Sequence, residues 1–258
     1  MFEVLAAAAL ALAPVTEVSR TPAPEAGQGV AVDARYIYAI GNSQIGKYDR
    51  RTGAKVAGWK GDPHDFPHMN SCEIVGREML CAASNYPATP MLSRIEVFDP
   101  EKLTHLRTID LGHQPGSLTW VDRHEGAWWA GFANYDNRGG EAGRDHSFTT
   151  VIRFDDQWRA QATWTFPPEV LARMAPYSNS GGAFGADGRL YVTGHDRPEL
   201  YVMEPPAGGG VLKLVATIPL LVNGQAIGFD REAKDVIFGI SRAKREVVGM
   251  KLPPVEGK

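Results

Sequence analysis

The chain has 258 residues, of which 43% are hydrophobic and 22% charged, with a formal net charge of −3. That apolar content excludes a disordered chain, and the balanced charge offers no basic surface for nucleic acid. All-β domains commonly reach this length around one core, so no division into domains is required.

The first element is an apolar run from Val4 to Ala13, about half the length needed to span a bilayer. It ends in Ala11-Leu12-Ala13, which resembles the small-residue end of a secretory signal. Residues 1–13 therefore read as a signal peptide, truncated at its start because no cationic residue precedes the apolar run; a buried strand or helix is the alternative. On this reading residues 14–258 form one periplasmic or secreted domain with no stable membrane insertion.

After an unassigned β-prone segment, Val15 to Arg20, the chain repeats itself. Tyr36 to Asn42, Met79 to Asn85, Trp128 to Asn134, Leu190 to His195 and Val236 to Arg242 are each an apolar, β-prone run closed by a small residue and then Asn, His or Arg. These polar ends fall 43, 49, 61 and 47 residues apart. Short strands flank each run, giving four strands in roughly 40 to 50 residues, the size of a propeller blade. The fifth unit has only three strands before the chain ends, and Val15 to Arg20 is free to supply the fourth. The predicted fold is an all-β, five-bladed β-propeller whose last blade is closed by an N-terminal strand; a β-sandwich would not require this period.

Within the second unit, Gly76-Arg77 reads as a two-residue hairpin loop. Counting outward from Val75 opposite Glu78 brings Cys72 opposite Cys81, at a spacing that permits a disulfide. Oxidation would agree with export. Between the third and fourth units, Pro168 to Ala175 has proline at its start, Glu169 in its first turn and Pro176 behind it, the signature of a short inserted helix. A helix here is expected as a partial lid over the channel mouth.

In a propeller, the loops after second strands and the loops between blades gather on one face. That rule brings His68, Tyr177, His146, His195, Asn85, Tyr86, Asn134, Tyr135 and Arg242 to one funnel although they are distant in sequence. His195, His68 and Tyr135 are the candidate proton-transfer groups, since imidazole exchanges protons near neutral pH and a tyrosine beside a cation can serve as a base. Asn85, Tyr86, Asn134, His146, Tyr177 and Arg242 are the candidate substrate-binding groups. Asn42, Asn85 and Asn134 recur at one place in successive units, either as strand-ending turn residues or as a ring of amide oxygens for a hard cation or sugar hydroxyls. His68, His146 and His195 would suit a divalent metal in the funnel, whereas His64 and His68 have a helical metal-pair spacing that Pro63 and Pro67 disfavour. Arg242, Lys244 and Arg245 read either as a solvated hairpin tip or as a carboxylate or sulfate site. No motif for serine-based acyl transfer, zinc peptidases or nucleotide binding is present.

Leu190-Tyr-Val-Thr-Gly-His-Asp-Arg-Pro-Glu-Leu-Tyr201 and Asn223-Gly-Gln-Ala-Ile-Gly-Phe-Asp230 together resemble segments of the five-bladed glutamine cyclotransferase family. They are also similar to bacterial propellers labelled cycloisomerase-like. The resemblance implies a five-bladed ring with an active centre in the channel mouth, though the family's Ser-Thr-Gly stretch has no counterpart in the first blades. The expected function is acid/base chemistry of lyase, cyclotransferase or isomerase type on a small-molecule or saccharide ligand. The alternative is a non-catalytic propeller that binds a glycan, peptide or partner protein.

Overall fold

The computed structural model describes residues 13–256 as five antiparallel sheets arranged as the blades of a propeller. The signal-peptide reading falls on residues of which 1–12 lie outside those described.

Strand β1 (Thr16–Pro22) precedes the first blade, which is built from β2 (Gly29–Val32), β3 (Tyr36–Gly41), β4 (Gln44–Asp49) and β5 (Lys55–Lys60). The second blade holds β6 (His68–Val75), β7 (Glu78–Ser84), β8 (Leu92–Asp99) and β9 (Thr104–His113). The third holds β10 (Ser117–His124), β11 (Ala127–Ala133), β12 (Thr150–Phe154) and β13 (Ala160–Thr165). Helix α1 (Pro168–Met174) follows, and then the fourth blade: β14 (Gly181–Phe184), β15 (Leu190–Thr193), β16 (Glu199–Glu204) and, after β17 (Gly210–Val211), β18 (Lys213–Pro219). The short β17 leaves its own blade and pairs in parallel with β13, a feature the repeat did not predict. β19 (Gly228–Phe229), β20 (Val236–Ser241) and β21 (Glu246–Lys251) begin the fifth blade, and β1 completes it by pairing antiparallel with β21. The ring thus closes through the N-terminal strand, as the strand count predicts, and no blade is left a strand short.

Burial falls from the channel outward. The innermost strands β2 and β14 are buried at every position, whereas the outermost β5 and β13 alternate between exposed and covered. Blades pack face to face, so inner strands are covered on both sides and read as continuous apolar runs. Five apolar clusters result, one at each interface between neighbouring blades. Met69, Met79 and Phe98 meet Tyr38 and Ile45 between the first two blades, and Trp120, Trp164 and Tyr201 meet between the third and fourth. At the latter interface Gly182 is required for closeness: a Cβ there would lie 2.4 Å from the Trp120 ring.

Cys72 and Cys81 face each other across β6 and β7 and are disulfide-bonded, with Cα atoms 3.9 Å apart. The hairpin register holds from Val75 opposite Glu78 to Cys72 and then shifts between Cys72 and Met69, where a bulge turns His68 and Asn70 toward the channel mouth.

The inserted helix forms where proline and Glu169 predict it, but it is not a lid. Val170, Leu171 and Met174 are buried in the cluster between the third and fourth blades, so burial of their apolar surface holds the helix at the ring wall. None of its residues lines the cavity at the channel mouth; Tyr177, three residues beyond it, does.

Candidate functional site

Each blade sends one polar side chain into the mouth from the start of its innermost strand: Gln28, Asn70, Thr119, Ser180 and Gln225. These ride on the most buried strands of the ring, so their positions are fixed by the core. Above them stand His68, Tyr86, Tyr135, Arg138, Tyr177, His195 and Arg242, closing a cavity of about 260 Å³. Six of the residues singled out in the sequence therefore meet here, namely His68, Tyr86, Tyr135, Tyr177, His195 and Arg242.

The aromatic side chains of the wall form two groups. His68 lies 4.9 Å from the Tyr86 ring, Tyr86 meets Tyr135 edge-on at 5.2 Å, and Tyr177 covers His195 at 4.3 Å. The loop bearing Arg138 can close against this wall because Gly139 has φ +84° and no Cβ, which would otherwise sit 2.3 Å from the Tyr86 ring.

His195 is held from both sides. Its Nδ1 is 2.6 Å from an Asp196 carboxylate oxygen, which selects the tautomer with the proton on Nδ1 and leaves Nε2 as the acceptor. Arg242 Nη1 donates to that Nε2 at 3.2 Å. His68 is half-buried, and loss of solvent together with the charge of Arg242 lowers its pKa to about 4, against a smaller opposing hydrogen bond with Asn70. Its imidazole is neutral at physiological pH. Burial raises the Tyr135 pKa, with a further push from Tyr86 and an opposing hydrogen bond from Ser117. This phenol keeps its proton at neutral pH, so it is suited to donate rather than to act as the base expected from a neighbouring cation.

Asn85, Asn134 and His146 do not line this cavity. Asn85 ties its own loop, donating to the Pro90 carbonyl and accepting from Leu92 N–H. Asn134 is fully buried and donates to the Pro115 and Phe148 carbonyls, fixing the start of the third blade. Asn42 accepts from Gln28 at 2.7 Å. The recurring asparagines thus do the turn and loop chemistry that their side chains favour, and no ring of amide oxygens forms. His146 lies on the outer rim, bonded through Nδ1 to Asp136 at 2.6 Å. With Asp136 and Asp145 it makes the only group among the described residues whose potential metal-ligand atoms converge, within 4.8 Å of one another. Asp136 is already engaged by the backbone and ring of His146, and Asp145 by Ser147. His68, His146 and His195 do not converge, and His64 is exposed beside Asp65.

Sequence reading missed Gln28, Thr119, Arg138 and Ser180. A signal for three of them existed: a polar residue stands within or just before the first three positions of the inner strand, as Gln28 and Ser180 precede β2 and β14 and Thr119 is third in β10, offset from the conspicuous polar ends of the second strands. Arg138 sits in a loop longer than the repeat and carries no such signal.

Toward the far ends of the inner strands lies an ion cluster. Arg231 donates to Glu73 at 2.7 Å, to Asp122 at 3.1 Å and to the Phe184 carbonyl at 3.0 Å. Asp122 in turn accepts from Phe184 N–H at 2.7 Å. Two buried carboxylates share one guanidinium that itself reaches solvent, and burial raises the pKa of both, that of Glu73 to about 7 with the Asp122 charge adding to the effect.

No family model matches the chain, and no curated protein matches it in sequence. Similarity is found among solved structures. A structure named luciferin-regenerating enzyme superposes with a TM-score of 0.56 at 10% identity, covering 95% of this chain and 97% of the other. A chain of the mitotic checkpoint complex gives 0.53 at 8% identity, covering 98% and 97%, and hydrazine synthase of Kuenenia stuttgartiensis gives 0.52 at 12%, covering 88% and 83%. At such identities the likeness is one of fold, and two of these names belong to enzymes while the third belongs to a complex; this chain is a five-bladed β-propeller whose fold leaves its activity to be argued from its own site.

Proposed function

We propose that the protein is an exported enzyme that acts by acid/base chemistry on a small polar or saccharide-like molecule held in the channel-mouth cavity. The observation that carries this reading is the Asp196–His195 pair at the cavity wall, with a 2.6 Å contact to Nδ1 and the basic Nε2 turned toward Arg242. In an acid/base step His195 Nε2 takes the proton once a ligand draws Arg242 away, and Asp196 stabilises the imidazolium that forms. Tyr135, which keeps its proton, donates a hydrogen bond to the ligand, and neutral His68 hydrogen-bonds it as well. The polar ends of five inner strands suit hydroxyl groups, and the Tyr86 and Tyr177 rings suit the apolar face of a sugar. The resemblance to glutamine cyclotransferases agrees with a catalytic mouth, and the Cys72–Cys81 disulfide agrees with an oxidising compartment.

A non-catalytic binding propeller is the second reading, and one observation favours it: Arg242 occupies the Nε2 lone pair that a base needs. The two separate in one experiment, in which purified protein and its His195→Ala variant are incubated with a pool of small polar metabolites followed by mass spectrometry. Consumption of a compound by the parent and not by the variant supports catalysis. Equal consumption by both contradicts the assignment of His195, and ligand capture without consumption favours the binding propeller.

A further inference from the structure

No aspartate or glutamate lines the cavity itself; the carboxylate of Asp196 stands behind His195 and lines a further cavity that shares His195, Gln225 and Arg242. The charged members of the mouth cavity are Arg138 and Arg242, with His68 and His195 beside them. A second cavity of about 310 Å³ adjoins it, sharing Gln28 and Arg242 and adding Lys60 and Arg245, again with no carboxylate in its lining. The net charge of the whole chain is −3, so this cationic mouth is a local arrangement opposed to the overall balance.

The guanidinium groups here are unlike several others in the molecule. Arg20, Arg50, Arg173 and Arg231 each pair with a carboxylate. Among the described residues, the Arg242 guanidinium hydrogen-bonds only His195 Nε2 at 3.2 Å, and that of Arg245 only the Ala26 carbonyl at 3.4 Å. The uncompensated charge is felt inside the cavity, where Arg242 contributes to keeping His68 deprotonated. Arginine offers a planar fork that matches a carboxylate in two parallel hydrogen bonds. Around that fork the amides of Gln28, Asn70 and Gln225 and the Ser180 hydroxyl can both donate and accept, and the Thr119 hydroxyl, which donates to the Gly131 carbonyl, can accept, which is the pairing sugar hydroxyls need.

We infer that the mouth recognises a sugar acid, a polyhydroxylated carboxylate whose acid group is held by Arg242 where the two cavities join. Arg138 on one side and Arg245 on the other complete the positive field, and the hydroxylated part of the ligand lies over the inner-strand side chains. This inference rests on the mouth being the ligand site and is independent of whether chemistry occurs there.

The test is calorimetric titration of the intact protein with glucuronate, galacturonate and gluconate, each paired with its uncharged parent sugar, glucose or galactose, and with acetate as a bare carboxylate. At least one sugar acid is expected to bind ten-fold or more tightly than both its parent sugar and acetate. Arg242→Gln is expected to weaken that binding about ten- to hundred-fold, the range for losing a charge-assisted hydrogen bond. Arg242 is exposed, so its replacement leaves the core intact, and an unchanged thermal melt of the variant checks this. Neutral sugars binding as tightly as their acids, acetate equalling the sugar acids, full affinity in Arg242→Gln, or no binding of any acid at 10 mM, a level on the order of the weakest useful affinity, would each overturn the inference. Binding of a sugar acid without turnover leaves it standing and fails the catalytic reading, whereas turnover of a neutral sugar alone does the reverse.

Discussion

Glu73 makes the protein's stability depend on pH in a direction opposite to that of most carboxylates. It is 6% exposed beside Asp122 and shares Arg231 with it, and its pKa rises from 4.5 to about 7. A raised pKa means that the folded state retains a proton that the unfolded chain releases. The stabilising contribution is therefore complete below pH 4.5, declines as pH rises toward 7, and is lost above it. At about 1.4 kcal/mol for each pH unit, the interval corresponds to about 3 kcal/mol. In Glu73→Gln the amide oxygen still accepts from Arg231, and the remaining Asp122 carboxylate is balanced by one guanidinium. Relative to this variant, the parent should lose about 3 kcal/mol between pH 4.5 and 8, or roughly 6–12 °C in Tm for a chain of this size. Thermal melts of both proteins across that range measure the difference, which belongs to Glu73 together with the Asp122 that shares its guanidinium. Parallel stability curves would refute the reasoning, because they would mean that Glu73 is ionised alike in the folded and unfolded states.

Ring closure makes residues 1–14 dispensable and β1 indispensable: removing 1–14 should leave the melt unchanged, while removing 1–21 breaks five of the six paired positions on β21 and should cost on the order of 3–6 kcal/mol and promote aggregation. The disulfide closes a short loop, so Cys72→Ala with Cys81→Ala should lower stability by about 2–3 kcal/mol, and thiol titration of denatured, unreduced parent should find no free thiol. Asn134→Ala should cost about 1 kcal/mol in denaturant titration, since it removes a donor from the Phe148 carbonyl and one of two from the Pro115 carbonyl, whereas Asn85→Ala in its half-exposed loop should cost less.

The ring was legible in the sequence because its signal is periodic. Four short strands recur at blade spacing, and the orphan segment near Val15 matched the one missing strand. The cysteine pairing was legible because a two-residue turn sets register by counting alone, and the count holds until the bulge after Cys72. What the repeat could not convey was which way a side chain points. Asn85 and Asn134 occupy equivalent places in the pattern, yet both turn into their own backbones, and the next residues, Tyr86 and Tyr135, face the cavity. The helix boundaries followed from proline and charge, but its position depended on Val170, Leu171 and Met174 finding the gap beside Trp120 and Trp164, which is a matter of tertiary packing. The Glu73–Asp122–Arg231 cluster joins three blades across the channel, and no local pattern announces it.

The claim that the channel mouth is the ligand site is tested most directly by NMR of protein labelled at its seven histidines, titrated with an equimolar mixture of the three sugar acids and their parent sugars. His68 and His195 line the cavity, whereas His64, His105, His113 and His124 are tied to Asp65, Glu96, Glu141 and Phe184 elsewhere. The ring signals of His68 and His195 should move together and saturate while those four stay fixed. Signals that move only at the four distant histidines, or at none of the seven, would contradict the placement of the site.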